Sequence, residues 1–210
     1  MRNYHAYLEP GHFYHIYNRG NNSDSLFAND GNYAFFLKKW REYIFPYLHV
    51  YAYCLMPNHF HFLVQIRDTT SFTKLQKLSK AEANTEDMDV NKFLEERFQR
   101  FFSSYALAFN KQQARHGSLF EKRFKRIHVN SDAYFTKLIH YIHNNPIHHH
   151  FTTDYRMWKY CSYQAFLSSQ SSHVGRKQVI TWFGSIERFI EFHEQMIDYG
   201  EIEHLLIDAN

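Results

Sequence analysis

Residues 48–66 contain the pattern on which the fold depends, and they read LHVYAYCLMPNHFHFLVQI. Aromatic and β-branched side chains are frequent on both sides of a short Met-Pro-Asn connection, and such side chains are typical of strands. A connection this short reverses the direction of the chain. The stretch therefore predicts two antiparallel strands, over 48–55 and 59–66.

Further elements flank this pair on both sides. Residues 12–19 and 123–129 also have the composition of strands. Apolar side chains recur at the helical period in three segments. These segments run from Asp30 to Pro46, from Phe93 to Gln113, and from Ser131 or Asp132 to Pro146. The order β-α-β-β-α-β followed by a helix predicts an α+β fold, a ferredoxin-like antiparallel sheet with helices on one face.

The chain divides into a domain and an appendage. Residues 1–150 hold the predicted sheet and its helices, interrupted by a polar and acidic insertion at about 67–92. After Pro146 the chain is rich in loops, and helical periodicity returns at 162–168 and 185–199. We predict that 151–210 form a C-terminal helical extension that is part of the same globule.

Composition limits the classes of protein. Hydrophobic residues make up 44% of the 210, which excludes a disordered chain. Two cysteines cannot form a disulfide framework, no apolar run is long enough to cross a membrane, and the start lacks the apolar region of a signal peptide. We therefore expect a cytoplasmic protein with no membrane partner. The aromatic content of 19% fits either an aromatic core or surfaces on which bases stack.

Charge is distributed unevenly along the chain, although the formal net charge is only +3. Residues 111–130 contain six basic side chains and one acidic one, whereas 185–210 contain seven acidic side chains and one basic one. A polyanion would approach the first segment and be repelled by the second. Two ordinary solvated surfaces would give the same counts, and charge alone does not separate these interpretations.

His59 and His61 form the sharpest local feature. Side chains of a strand alternate between faces, so both imidazoles lie on one face while Phe60 and Phe62 lie on the other. Two imidazoles two residues apart can bind one transition-metal ion and leave positions open for water and substrate. An isolated His-x-His arises by chance in a chain with 16 histidines. Here the apolar alternate residues indicate a buried strand with one polar face, which favours the metal site.

Tyr141 and Asn145 form a second feature, because they stand four residues apart on a predicted helix and share one face. A phenolate stabilised by a nearby cation is a competent nucleophile, and an amide oxygen can bind a metal ion without adding charge. The alternative is structural: Tyr141 packs in the core, and Asn145 ends the helix before Pro146. From these residues alone the structural interpretation is favoured.

A family resemblance connects the two features. The run YAYCLMPNHFHFLV at 51–64 resembles the signature of the HUH single-tyrosine transposases, and more narrowly that of their REP-associated tyrosine transposase branch. YHIYNRG at 14–20 resembles the first strand of the family, GSLFEKRFK at 117–125 its basic fourth strand, and YIHNNPI at 141–147 the helix with the nucleophilic tyrosine. The matches occur in the family's order and cover about residues 12–167. Four ordered motifs are far more specific than one.

The resemblance implies an enzyme that cuts and rejoins single-stranded DNA at hairpin-bearing sites. In the family the tyrosine attacks the scissile phosphate, which gives a 5′-phosphotyrosine intermediate and a free 3′-OH, and the 3′-OH of a second strand then resolves the intermediate. Carried over to this sequence, His59 and His61 are metal ligands and Tyr141 is the nucleophile. Asn145 matches the third ligand, at a position that is Gln in some relatives. Mg²⁺ or Mn²⁺ is the expected ion.

The resemblance also implies a DNA partner and leaves two alternatives. Candidates for backbone phosphate contacts are Arg19, Arg123, Lys125 and Arg126. The partner is single-stranded or hairpin DNA, and the protein acts as a monomer or a homodimer. The first alternative is a domesticated hairpin-binding protein that no longer cuts; the second is a replication initiator or relaxase with the same chemistry. The insertion and a histidine tract at 148–150 depart from the family pattern.

Overall fold

The computed structural model describes residues 4–70, 72 and 88–200. Most of the predicted insertion at 67–92 therefore lies outside the described residues, as do the acidic residues after 200. Within the described part of the chain, no helix is both long enough and apolar enough to cross a lipid bilayer.

Four strands form one antiparallel sheet. They are β1 (Phe13–Arg19), β2 (Leu48–Met56), β3 (His59–Ile66) and β4 (Lys125–Val129), in the spatial order β2-β3-β1-β4. Pro57 and Asn58 alone connect β2 to β3, as the Met-Pro-Asn sequence predicts. β4 begins two residues later than the predicted 123, because Arg123 has a φ of 61°. That left-handed conformation places Arg123 in a turn rather than in a strand.

Two helices pack on one face of this sheet. They are α1 (Asp30–Tyr43) and α2 (Val90–Gln112). Trp40 of α1 stacks on Phe62 of β3 with ring centroids 3.8 Å apart, and Phe101 of α2 meets Trp40 edge-on at 5.6 Å. These large rings exclude water between the layers, which accounts for much of the aromatic content. The predicted α+β fold with an antiparallel sheet is confirmed, but the prediction that its helices lie on one face is wrong, because a third helix covers the other face.

The ends of both helices follow from capping side chains. Asn29 caps α1, because its side chain accepts a hydrogen bond from the backbone N–H of Asn32. The capping residue therefore lies one position before Asp30, the predicted cap. Asp89 accepts from the N–H of Lys92, so α2 begins at Val90 and not at Phe93. The helical periodicity of apolar residues did not reveal this first turn, because Val90 is the only apolar residue between Asp89 and Phe93.

A third long helix, α3 (Asp132–His148), covers the opposite face of the sheet. Ser131 caps it by accepting from the N–H of Tyr134, as predicted. The prediction that Pro146 ends the helix is wrong, because Pro146 lies inside it. A proline this near the end of a helix removes one backbone hydrogen bond. The last turn is closed by hydrogen bonds from the N–H groups of His149 and Phe151 to the carbonyls of Asn145 and Pro146.

Between residues 151 and 200, the described part of the chain forms three short α-helices: α4 (Tyr163–Leu167), α5 (Arg176–Phe183) and α6 (Ile186–Glu194). α4 and α6 fall within the predicted helices 162–168 and 185–199, although α6 ends five residues earlier. α5 was not predicted. It contains three β-branched residues in succession, Val179 to Thr181, and such residues disfavour helices.

Irregular segments pair with both outer strands of the sheet. Leu55 of β2 donates its N–H to the carbonyl of Tyr160, and Ser162 donates to the carbonyl of Tyr53. Cys54 and Cys161 therefore lie directly opposite each other, both as buried free thiols. On the other side, Arg126 of β4 donates to the carbonyl of Tyr4 and accepts from the N–H of Ala6. Both outer strands have backbone partners.

Candidate active site

His59 and His61 lie on the face of the sheet that α3 covers. Both are buried, and Tyr17 and Arg19 of β1 stand opposite His61 and His59 in the strand register. Phe60, between them, points to the face covered by α1 and α2, where it contacts Phe36. Strand alternation therefore separates an aromatic face from a face that carries imidazoles.

A polar side chain holds the Nδ1 atom of each imidazole. Nδ1 of His59 lies 2.7 Å from Oδ1 of Asn58, and Nδ1 of His61 lies 2.9 Å from Nε2 of His15. Histidines that bind metal ions commonly have their second nitrogen fixed in this way, because the contact sets the tautomer and the ring orientation. The arrangement makes Nε2 the atom through which each ring would bind a cation.

Asn145 brings an amide oxygen to the same place. This residue of α3 is fully buried, and its Oδ1 lies 3.0 Å from Nε2 of His59. His59 therefore has a side-chain amide at each ring nitrogen, and the tautomer that donates from Nδ1 to Asn58 leaves a lone pair on Nε2 that faces Asn145. A cation between Nε2 and Oδ1 removes the repulsion between their lone pairs. Adjacent ligands around an ion with bonds of ~2.1 Å are also about 3 Å apart.

The donor set accordingly fits a divalent cation held by His59, His61 and Asn145. Among the described residues, no three His, Cys, Asp or Glu side chains cluster as they would to hold a metal ion. An ion at this place would rely on the neutral amide of Asn145 and on oxygens from water and substrate. Three neutral protein ligands leave coordination positions open, and such a site suits an ion that also binds phosphate.

Tyr141 lies one helical turn before Asn145 on the same face of α3. Its ring meets the ring of His61 edge-on, with centroids 5.6 Å apart, and that of His15 at 6.3 Å. Only 2% of Tyr141 is exposed. The rings of His148 and Tyr199 lie 5.9 and 5.8 Å from it. Rings therefore surround Tyr141 on several sides, which accounts for its burial.

Two basic side chains border the site. A cavity of about 80 Å³ beside His59 is lined by Arg19, Lys125 and His149, among others. The ammonium of Lys125 lies 5.8 Å from the ring centre of Tyr17, and Arg19 forms an ion pair with Glu121. Both cations therefore lie next to the candidate metal ligand His59.

The other two predicted phosphate contacts lie elsewhere. Arg126 points to the opposite face of the sheet, where it pairs with Glu95 and donates from Nε to the carbonyl of Ala6 at 2.6 Å. Its side chain is largely buried and its contacts are with the fold, although it also lines the larger groove on that face. Arg123 is exposed but lines a different, larger groove.

Buried histidines connect α3 to the C-terminal extension. Nδ1 of His143 lies 2.8 Å from Nε2 of His193 in α6, and Nε2 of His143 lies 2.9 Å from the hydroxyl of Ser162. Burial lowers the pKa of His193 to about 3 and that of His140, one turn before Asn144, to about 4. These side chains are therefore neutral near pH 7, and they connect the helix of Tyr141 to the C-terminal extension.

Sequence reasoning missed three residues of the site: His15, Asn58 and His149. His15 and Tyr17 alternate in β1 as His59 and His61 do in β3, and this matching alternation was the available signal. His149 belongs to the 148–150 tract, and its ring lies 4.6 Å from that of His59. The sequence predicts a loop for this tract, because the predicted helix ends at Pro146.

Comparison with known proteins gives a similarity of fold. No family model matches the sequence, and no curated protein matches it. Among solved structures, a REP-associated tyrosine transposase bound to a REP hairpin is similar to this chain, with a TM-score of 0.55 and 13% sequence identity. The similarity covers 80% of this chain and 87% of that one. At this identity the similarity establishes the shared fold.

Proposed function

We propose that this protein is a metal-dependent, HUH-type tyrosine transposase or endonuclease that cuts and rejoins single-stranded DNA at hairpin-bearing sites. One observation carries the proposal: α3 holds Tyr141 and Asn145 one turn apart, against the two histidines of β3. The fold shared with a transposase that binds a hairpin supports the choice of substrate. The four sequence motifs support the reaction.

The residues have separate roles in the proposed reaction. His59, His61 and Asn145 would hold Mg²⁺ or Mn²⁺, which when bound offsets negative charge on a phosphate oxygen. Lys125 and Arg19 position the strand through its phosphates. The hydroxyl oxygen of Tyr141 attacks phosphorus and loses its proton, while the bond to the 3′ oxygen breaks and that oxygen gains a proton. The phosphate then joins Tyr141 to the 5′ end of the strand.

The test is the formation of this covalent adduct. The protein is incubated with a library of single-stranded hairpins in Mg²⁺ or Mn²⁺, and 5′-linked DNA is captured and sequenced. Tyr141→Phe should bind hairpins normally and form no adduct. Tyr134→Phe is the matched control, since Tyr134 is a buried tyrosine of α3 whose hydroxyl has no hydrogen-bond partner among the described residues. It should form the adduct at the wild-type level.

Each outcome has a defined meaning. An adduct that survives Tyr141→Phe removes Tyr141 from the nucleophilic role. Wild-type protein that binds hairpins tightly but forms no adduct with either ion supports the non-cleaving DNA-binding alternative, which the burial of Tyr141 favours. Cleavage rates unaffected by His59→Ala or His61→Ala would contradict the metal site.

A further inference from the structure

A groove of about 840 Å³ lies on the other face of the sheet from the histidines, between α2 and the segment 117–124. Its floor is aromatic. The ring of Phe102 is partly exposed there and lies 4.8 Å from that of Phe120 and 5.7 Å from that of Phe124. Gln99 and Ser103 add polar groups from α2. The volume falls within the range of about 300–1,000 Å³ typical of small-ligand sites.

The rim of the groove is basic. Both carboxylates that line it are already paired, Glu95 with Arg126 and Glu121 with Arg19. Lys122 and Arg123 are exposed at the rim, and no described carboxylate forms an ion pair with either. Arg123 also has a φ of 61°, a conformation that costs a non-glycine residue about 1 kcal/mol or more and is frequent at functional sites. Positive charge beside an aromatic surface is the combination that binds single-stranded nucleic acid.

The groove adjoins the candidate active site. Asn18 and Glu121 line both the groove and the small cavity beside His59. The ion pair of Arg19 with Glu121 lies where the two spaces meet. A strand whose phosphate lies beside Lys125 and Arg19 can therefore continue past this ion pair into the groove.

We propose that the groove binds a nucleotide of the single-stranded DNA that flanks the cleavage site, with its base stacked on Phe102 and its phosphate held by Lys122 and Arg123. The inference rests on the proposed function for the identity of the ligand. It adds a second site, on the opposite face of the sheet, that reads the substrate beyond the scissile phosphate.

The experiment is an abasic scan. Binding of hairpins with a single-stranded flank is measured by fluorescence anisotropy, with one abasic nucleotide placed at each flank position in turn. One position, or two adjacent ones, should weaken binding roughly tenfold, which is the order expected for the loss of one base–aromatic stack. In Phe102→Leu, which keeps an apolar side chain, the abasic substitution at that position should cost nothing further. Leu107→Ala is the control, because Leu107 is 75% exposed on the same helix and does not line the groove.

The outcomes separate the groove from the proposed function. If the protein binds hairpins tightly and tolerates an abasic nucleotide equally well at every flank position, the groove does not bind a base. That result overturns the role proposed for the groove and leaves the proposed function unaffected. A position-dependent loss that persists unchanged in Phe102→Leu also overturns the groove, because the base then stacks elsewhere. Failure to bind any hairpin or single strand overturns the proposed function, and the groove's ligand with it. Thermal melting of each variant confirms that the folded protein is compared.

Discussion

Lys125 and Arg126 are neighbours in β4, but their side chains leave the sheet on opposite faces. Lys125 borders the cavity beside His59, whereas Arg126 is buried against Glu95 and the carbonyl of Ala6. Sequence alone gave them the same role, because both are basic and adjacent in a basic segment. Which face of the strand binds the ligand is decided by the tertiary structure, and a charge count does not contain that information.

The two residues should therefore give opposite results on mutation. Lys125→Ala should weaken hairpin binding and reduce the slope of log affinity against log salt by about one, since one phosphate contact is lost. Its melting temperature should change little. Arg126→Ala should destabilise the fold by roughly 1–3 kcal/mol, because a buried hydrogen bond and an ion pair are lost. Binding titrations at several salt concentrations and thermal melts measure both effects. An unchanged salt slope in Lys125→Ala, or an unchanged melting temperature in Arg126→Ala, would contradict the assignment.

His15 is the least expected residue of the site, since it lies in β1 and contacts the candidate metal site through His61. Removing such a positioning contact typically weakens metal binding 10- to 100-fold. We expect His15→Ala to weaken Mn²⁺ binding by that order when titrated calorimetrically without DNA. His12→Ala, an exposed histidine one residue before β1, is the control and should bind Mn²⁺ as the wild type does. Equal affinities in the two variants would remove His15 from this role.

At the scale of elements, the strands were predicted within two residues of their bounds, whereas the start of α2 and the end of α3 were missed. β3 has its predicted bounds, and β1 and β2 differ from theirs by one residue, because period-two alternation and the Met-Pro-Asn turn specify a strand locally. The extent of α3 depends on hydrogen bonds after Pro146 that no sequence pattern displays. Because the helix continues to His148, His149 reaches the ring of His59, which the predicted loop did not anticipate.

The histidines between α3 and α6 should make stability depend on pH. The folded-state pKa values of His140 and His193, about 4 and about 3, lie below the unfolded value of about 6.5. Between these values the unfolded chain binds more protons than the folded one. Stability is therefore full above about pH 6.5 and is lost as pH falls, by up to about 1.4 kcal/mol per pH unit for each histidine.

Melting temperatures measured from pH 7.5 to pH 4.5 test this dependence. His193→Gln should flatten the curve by removing one of the titrating groups, although its stability at pH 7.5 will be lower. His116→Gln, which changes an exposed histidine after α2, should follow the wild-type curve. A curve for His193→Gln parallel to the wild type would show that His193 does not titrate on unfolding.

At the scale of the whole molecule, the C-terminal extension and the sheet share one core. Tyr163, Phe166 and Phe189 are buried, and Cys161 lies against β2. A chain ending at residue 150 would expose this apolar surface of α3 and β2, at a cost of about 25 cal/mol for each Å². We expect such a chain to show no cooperative unfolding transition in circular dichroism, whereas the full chain shows one. A cooperative transition in the short chain would mean that 1–150 fold alone.

The segments paired with β2 and β4 have a consequence for how copies of the protein can meet. An open outer strand is a template onto which another polypeptide can add its own backbone. In the described part of the chain, residues 160–162 occupy that position beside β2, and residues 4–6 occupy it beside β4. Two copies that associate at these edges must therefore use side chains, or first displace one of these segments. A short deletion at the amino terminus would expose the edge of β4 to pairing with another chain, although it removes no residue of the site around His59.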